Sequence, residues 1–149
     1  MPLKGKASPV VFLDASCLVA AVLSPTGGSF RLLQESSKKE IHLVINRYAF
    51  EEVSEVLARK YPHHLLRFEQ ILAWSQIKIQ QDPSAKQVAQ YLPIIDPEDA
   101  PILAGAMRAK ARFLITLDQS DFMTATIRRA NLPFIIVAPR DFFQQYWKH

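Results

Sequence analysis

Val10-Val11-Phe12-Leu13-Asp14 is an apolar run closed by a carboxylate, and Phe113-Leu114-Ile115-Thr116-Leu117-Asp118 repeats the arrangement far along the chain. Both runs suit a strand buried on both faces, the kind found in parallel sheets. In open sheets of that type, ligand sites form just beyond the carboxyl ends of the strands, where Asp14 and Asp118 fall. Further strand-like runs occupy residues 42–45 and 134–137, with a weaker one at 77–79. Helical patterns lie between them at 16–23, 29–37, 48–60, 64–75, 97–110 and 121–130, and a last one covers 141–147. The alternation predicts an α/β fold of three layers, α/β/α, around a mostly parallel central sheet. Hairpin signals, internal repeats and linker composition are absent, so residues 1–149 are expected to form a single domain.

Composition narrows the function classes. A chain of 149 residues, 49% hydrophobic with only 4 glycines, has the makeup of a packed globule. The single cysteine, Cys17, excludes an intramolecular disulfide and a cysteine-based zinc site, and it reads as a small core residue. Lys4 and Lys6 precede an apolar stretch in the manner of a signal peptide, but Asp14 interrupts that stretch. No run approaches the ~20 apolar residues of a membrane span. The expectation is a cytoplasmic protein without a membrane partner. Net charge is +4, so acidic residues on apolar frames leave a surface able to attract a polyanion.

Two helical stretches carry carboxylates in unusual places. In 48–60, Ala49, Val53, Val56, Leu57 and Lys60 follow the spacing of a buried stripe, and Glu52 lies on its edge. Glu51, Glu55 and Arg59 share the opposite, solvated side, with a Glu55–Arg59 pair expected. The segment Asp96-Pro97-Glu98-Asp99-Ala100-Pro101 opens the other helix, and either Asp96 or Asp99 suits the N-cap. Asp99 also heads a row with Leu103 and Ala106, which would aim it at the sheet edge. Asp14 could cap the helix at 16–23, and Asp121 fits a cap for 121–130 better than Asp118 does. A buried or half-buried carboxylate costs desolvation energy unless compensated, and a divalent cation is the usual compensation.

The pieces Val11-Phe12-Leu13-Asp14-Ala15-Ser16, Phe50-Glu51-Glu52-Val53, Asp96-Pro97-Glu98-Asp99-Ala100-Pro101-Ile102-Leu103 and Thr116-Leu117-Asp118-Gln119-Ser120-Asp121-Phe122 together resemble the PIN-domain nucleases. The order and spacing extend from about residue 9 to residue 138. The resemblance implies a compact α/β/α domain, Mg²⁺- or Mn²⁺-dependent hydrolysis of RNA phosphodiesters, and often a homodimer. Many small members look like toxins of toxin–antitoxin pairs, which implies a protein antitoxin as partner. Carried over by position, the acidic set is Asp14, Glu52, Asp99 and Asp118, with Asp14, Asp99 and Asp118 as metal ligands. Glu51 leaves a one-residue ambiguity at the second position. Ser16, Asp96, Thr116 and Asp121 would be auxiliary.

Such a set could hold Mg²⁺, which takes hard oxygen ligands and keeps several waters. Other chemistries lack their residues. His42, His63, His64 and His149 have no zinc or triad spacing, and Gly27-Gly28 reads as a turn because no phosphate-loop lysine follows. Trp74 and Trp147 read as core or interface. Two alternatives remain: an RNA-binding or regulatory module of the same fold with a structural acidic cluster, and a phosphotransfer domain using Asp14 as nucleophile. The latter lacks the second aspartate of an Asp-x-Asp pair and a lysine after a late strand.

Overall fold

The computed structural model of the protein describes residues 8–147. Its five strands are β1 (Val10–Leu13), β2 (His42–Asn46), β3 (Lys78–Gln80), β4 (Phe113–Ile115) and β5 (Ile135–Val137). They form one sheet in the order β3-β2-β1-β4-β5, and every pairing is parallel. Val11, Phe12 and Leu13 are all fully buried. Successive strand residues point to opposite faces, so helices must cover both sides of the sheet, giving the three α/β/α layers. From β1 the chain steps outward to β2 and β3, then crosses back to β4 on the other side of β1. The reversal falls between β1 and β4, the crevice where open sheets of this class bind ligands.

Register fixes which residues meet there. Val10 lies opposite His42 and Phe12 opposite Val44, while Leu13 lies opposite Ile115. One step further, Asp14, Asn46 and Thr116 stand level at the carboxyl edge. The pairing continues to that point, since the Asp14 N–H donates to the Ile115 carbonyl at 3.0 Å.

The helices are α1 (Ala15–Leu23), α2 (Gly28–Ser37), α3 (Arg47–Lys60), α4 (Leu65–Ser75), α5 (Ala85–Ala89), α6 (Ala100–Arg108), α7 (Gln119–Phe122), α8 (Ala125–Arg129) and a last turn α9 (Pro139–Asp141) that runs into a π-helical segment at Phe142–Tyr146. Gly105 lets α6 lie close on the sheet. A Cβ at this position would fall 2.6 Å from both Asn46 Nδ2 and the Phe12 ring, so no larger residue fits without displacement. Glycine inside a helix costs about 1 kcal/mol relative to alanine, and the close approach explains its presence.

Several expected boundaries move, each for a local reason. The pattern at 121–130 is two helices, because Thr124 Oγ1 accepts the Ile127 N–H and starts α8 afresh. The helix expected from 97 begins only at Ala100, after a turn in which the Asp96 carbonyl accepts the Asp99 and Ala100 N–H groups. It ends at Arg108, and Lys110 then takes a left-handed φ of 54°. The run at 77–79 shifts to Lys78–Gln80, an exposed edge strand whose apolar signal is weak. A 3₁₀ turn at Pro62–His64 precedes α4. Helix α5, which the periodicity did not announce, is held by a Ser84–Gln87 capping box.

On α3, Ala49, Val53 and Leu57 are fully buried, whereas Val56 is half-buried and Lys60 exposed. The ion pair on its outer face joins Arg47 to Glu51 at 3.3 Å, and among the described residues no Glu55–Arg59 pair forms. Cys17 is buried, its thiol against the Ile115 carbonyl. Trp147 is buried with its indole N–H on Glu35, while Trp74 is largely exposed beside Phe30, so only Trp147 is a core residue. Gly27 caps α2 instead of forming a free turn. Among the described residues no single helix is long and apolar enough to cross a membrane.

Candidate acidic site at the carboxyl edge

Asp14 is the centre of the edge. Ser16 Oγ and Thr116 Oγ1 both donate to its Oδ2, at 2.9 and 2.7 Å, and the Ala15 N–H donates to Oδ1 at 2.8 Å. Asp14 therefore also caps α1. The two hydroxyls pass the connection on: Ser16 Oγ accepts the Leu117 N–H, and Thr116 Oγ1 accepts the Asp118 N–H. One carboxylate thus sets the backbone of the β4–α7 loop. Burial pushes the Asp14 carboxyl above its ordinary pKa, its three hydrogen bonds oppose that, and Asp118 adds to it.

Asp118 caps α7, with Oδ1 accepting the Asp121 N–H at 3.2 Å and the Ser120 hydroxyl at 3.0 Å. This reverses the expected assignment of cap between Asp118 and Asp121. Asp121 falls in the first turn of the helix, with its carboxylate near those of Asp96 and Asp99. Its carboxyl is raised first by the hydrogen bond to Asp118 and by that residue's charge.

Asp99 stands at the N-cap position of α6, yet its side chain makes no capping hydrogen bond. Its Oδ2 is buried and has no partner. The capping reading of Asp99 is therefore set aside. Burial, then Asp121, Asp14 and Asp118, push its carboxyl up to about 7. Oxygens of Asp96, Asp99 and Asp121 lie within 4.8 Å of one another. Asp14 and Asp118 adjoin this group, near enough for their charges to act on Asp99.

Glu52 approaches from α3. It is half-buried, and burial followed by Asp14, Glu98 and Glu55 pushes it up to about 7. Glu51, one position earlier, is exposed and paired with Arg47. The helical phase thus turns Glu52 toward the edge and Glu51 away.

Three further residues at the site escaped sequence reasoning. Asn46, fully buried, ends β2 and caps α3, while its Nδ2 donates to the Pro101 carbonyl. Tyr48 Oη donates to the Glu98 carbonyl, and Glu98 itself adds negative charge near Glu52. A polar residue closing the apolar run of β2 just before a helix was the available signal for Asn46. For Tyr48 and Glu98 there was none.

Among the described residues no lysine or arginine forms an ion pair with Asp14, Glu52, Asp96, Asp99, Asp118 or Asp121. Burial first, and neighbouring carboxylates second, raise Asp14, Glu52 and Asp99, and a bound cation would relieve both costs. The donor set is entirely oxygen, and one buried oxygen lacks a partner. That is the chemistry a hard divalent cation fits.

A three-layer α/β/α domain with carboxylates gathered at the β1–β4 crevice defines a class of proteins with an acidic, cation-compatible edge. A family model described as "PIN domain" matches residues 10–120, and the chain belongs to that family, whose members are in general nucleases. Solved structures with a similar fold include VapBC2 from Rickettsia felis bound to a DNA fragment from its promoter, 16% identical with a TM-score of 0.62, covering 93% of this chain and 99% of that one. PAE2754 from Pyrobaculum aerophilum is 16% identical with a TM-score of 0.62, over 96% and 94% of the two chains. VapBC-1 from nontypeable Haemophilus influenzae is 13% identical with a TM-score of 0.61, over 88% and 98%. At these identities the likeness is one of fold. No curated protein sequence matches the chain.

Proposed function

We propose that this chain is a Mg²⁺- or Mn²⁺-dependent endoribonuclease, cytoplasmic and homodimeric, acting as the toxin of a toxin–antitoxin pair, with residues 1–149 forming one domain. The observation that carries the reading is the partnerless buried Oδ2 of Asp99, set among carboxylates that no cationic side chain neutralises. Membership of the PIN-domain family supports the nuclease activity. The VapBC structures among similar folds support a protein antitoxin as partner.

In this reading Asp14, Asp99 and Asp118 would hold the ion, with Asp96 and Asp121 completing the acidic rim. A bound divalent ion supplies a Lewis acid for the phosphoryl oxygens and a charge that acidifies water. Glu52 orients the attacking water through its half-buried carboxylate. Ser16 and Thr116 fix Asp14 Oδ2 in place before any ligand arrives, as supporting residues of metal sites do.

The test is cleavage of single-stranded RNA by metal-stripped protein, with and without added Mg²⁺ or Mn²⁺, beside Asp14→Asn. Cleavage is expected only for wild type with metal. RNA bound but never cut would replace this reading with a binding module.

A further inference from the structure

The acidic turn at 96–101 is fastened to α3 from both sides of Asp99. Tyr48 Oη donates to the Glu98 carbonyl at 2.7 Å, one residue before Asp99. Asn46 Nδ2 donates to the Pro101 carbonyl at 3.1 Å, two residues after it. The other end of the same amide, Asn46 Oδ1, accepts the Ala49 N–H at 2.9 Å and fixes the first turn of α3. Glu52 stands on that helix less than a turn beyond Ala49. Tyr48 is held in its turn by Asp82 Oδ1, which accepts its backbone N–H at 2.8 Å. Asn46 has no freedom to relax, being fully buried with Gly105 packed against its amide.

The contacted turn depends on such help. Pro97 and Pro101 contribute no backbone N–H, and the Asp99 side chain makes no cap of its own. The two cross-links therefore connect the only half-buried carboxylate of α3 near the edge with the partly buried one at the head of α6.

We infer that Asn46 and Tyr48 are positioning residues that set the separation of Glu52 and Asp99, and through it the affinity of the acidic edge for a divalent cation. This rests on the metal-dependent reading above. Neither side chain touches the ion; each acts through a backbone carbonyl beside a carboxylate.

The experiment is Mn²⁺ binding without RNA, by calorimetry and by electron paramagnetic resonance of the free ion, on wild type, Tyr48→Phe and Asn46→Ser. Tyr48→Phe removes one hydroxyl and leaves the ring. Asn46→Ser keeps a capping oxygen but loses the donor to Pro101. Supporting residues of metal sites typically govern affinity by about 10- to 100-fold, so both variants should bind Mn²⁺ at least about tenfold more weakly. Ile71→Val on α4 serves as a control that lowers melting temperature away from the edge and should keep wild-type affinity. Wild-type affinity in Tyr48→Phe overturns the inference, as does an equal loss in Ile71→Val. Wild type that takes up no Mn²⁺ overturns the metal-dependent reading itself, and this inference with it.

Discussion

The two ends of the same sheet carry opposite charge. At the carboxyl edge stand Asp14, Glu52, Asp99 and Asp118, whereas Lys39, Lys78, Lys110 and Arg112 stand around the amino edge, near the starts of β2, β3 and β4. In a parallel sheet the crossover helices run against the strands, so they begin at the carboxyl edge and end at the amino edge. Their dipoles favour anions at the first and cations at the second. Helix α6 shows both, leading from Asp99 to Arg108 over about 13 Å. The segregation is partial, since Arg47 opens α3 at the carboxyl edge and Glu40 stands before β2 at the amino edge. Of the five residues that charge alone would suggest as RNA contacts, Arg108, Lys110, Arg112, Arg128 and Arg129, the first three stand at the end away from the carboxylates. The C-terminus of α6 accounts for Arg108, the one of the three in its last turn.

The edges should differ most in catalysis. Asp14→Asn or Asp118→Asn should slow RNA hydrolysis at least about a hundredfold, roughly 3 kcal/mol in the barrier, while Arg112→Gln should leave the single-turnover rate nearly unchanged. Comparable losses at both ends would erase the distinction. Within the acidic edge, Glu52→Gln should cost about tenfold or more and Glu51→Gln almost nothing. The opposite ranking would move the second acidic position by one residue.

Stability should separate the edges next. A hundredfold excess of Mg²⁺ over its Kd stabilises a native site by about 2.7 kcal/mol. Thermal unfolding of Asp99→Asn should lose that increment while its metal-free melting temperature stays level or rises. Full Mg²⁺ stabilisation of the variant would remove Asp99 from the site. The smallest effect is that of pH. Glu52 and Asp99 titrate near 7 in the folded protein, above their ordinary values, so the folded state holds more protons than the unfolded one between about pH 4 and 7. Metal-free stability should be greatest at the acid end of that window and fall as pH rises through 7. Mg²⁺ stabilisation should grow over the same rise. Measured against a Glu52→Gln/Asp99→Asn double variant, a flat difference across the window would refute the shared cause.

The strands of the sheet's centre were legible because burial on both faces leaves an uninterrupted apolar run, as in β1 and β4. Edge strand β3 was displaced by one residue because its exposed side chains carry little pattern. The cap at Asp118 was misread because Asp118 and Asp121 are equally plausible turn residues until the position of Thr116 is known. Helix α5 did leave a sign, the Ser84–Gln87 capping box, too short to register as periodicity. Asn46–Pro101 and Tyr48–Glu98 left none, since each joins segments far apart in the chain through a backbone carbonyl that carries no residue signature.

The bond between Thr116 and Asp14 spans 102 positions. Closing so long a loop carries an entropic cost that no local contact repays early, and non-local parallel pairing of this kind forms late in folding. While the ribosome has yet to release β4, the acidic edge lacks Thr116, Asp118 and Asp121. In a chain that ends before β4, Asp14 would keep its Ser16 and Ala15 donors but lose that of Thr116, so the acidic edge is assembled only with the completed sheet.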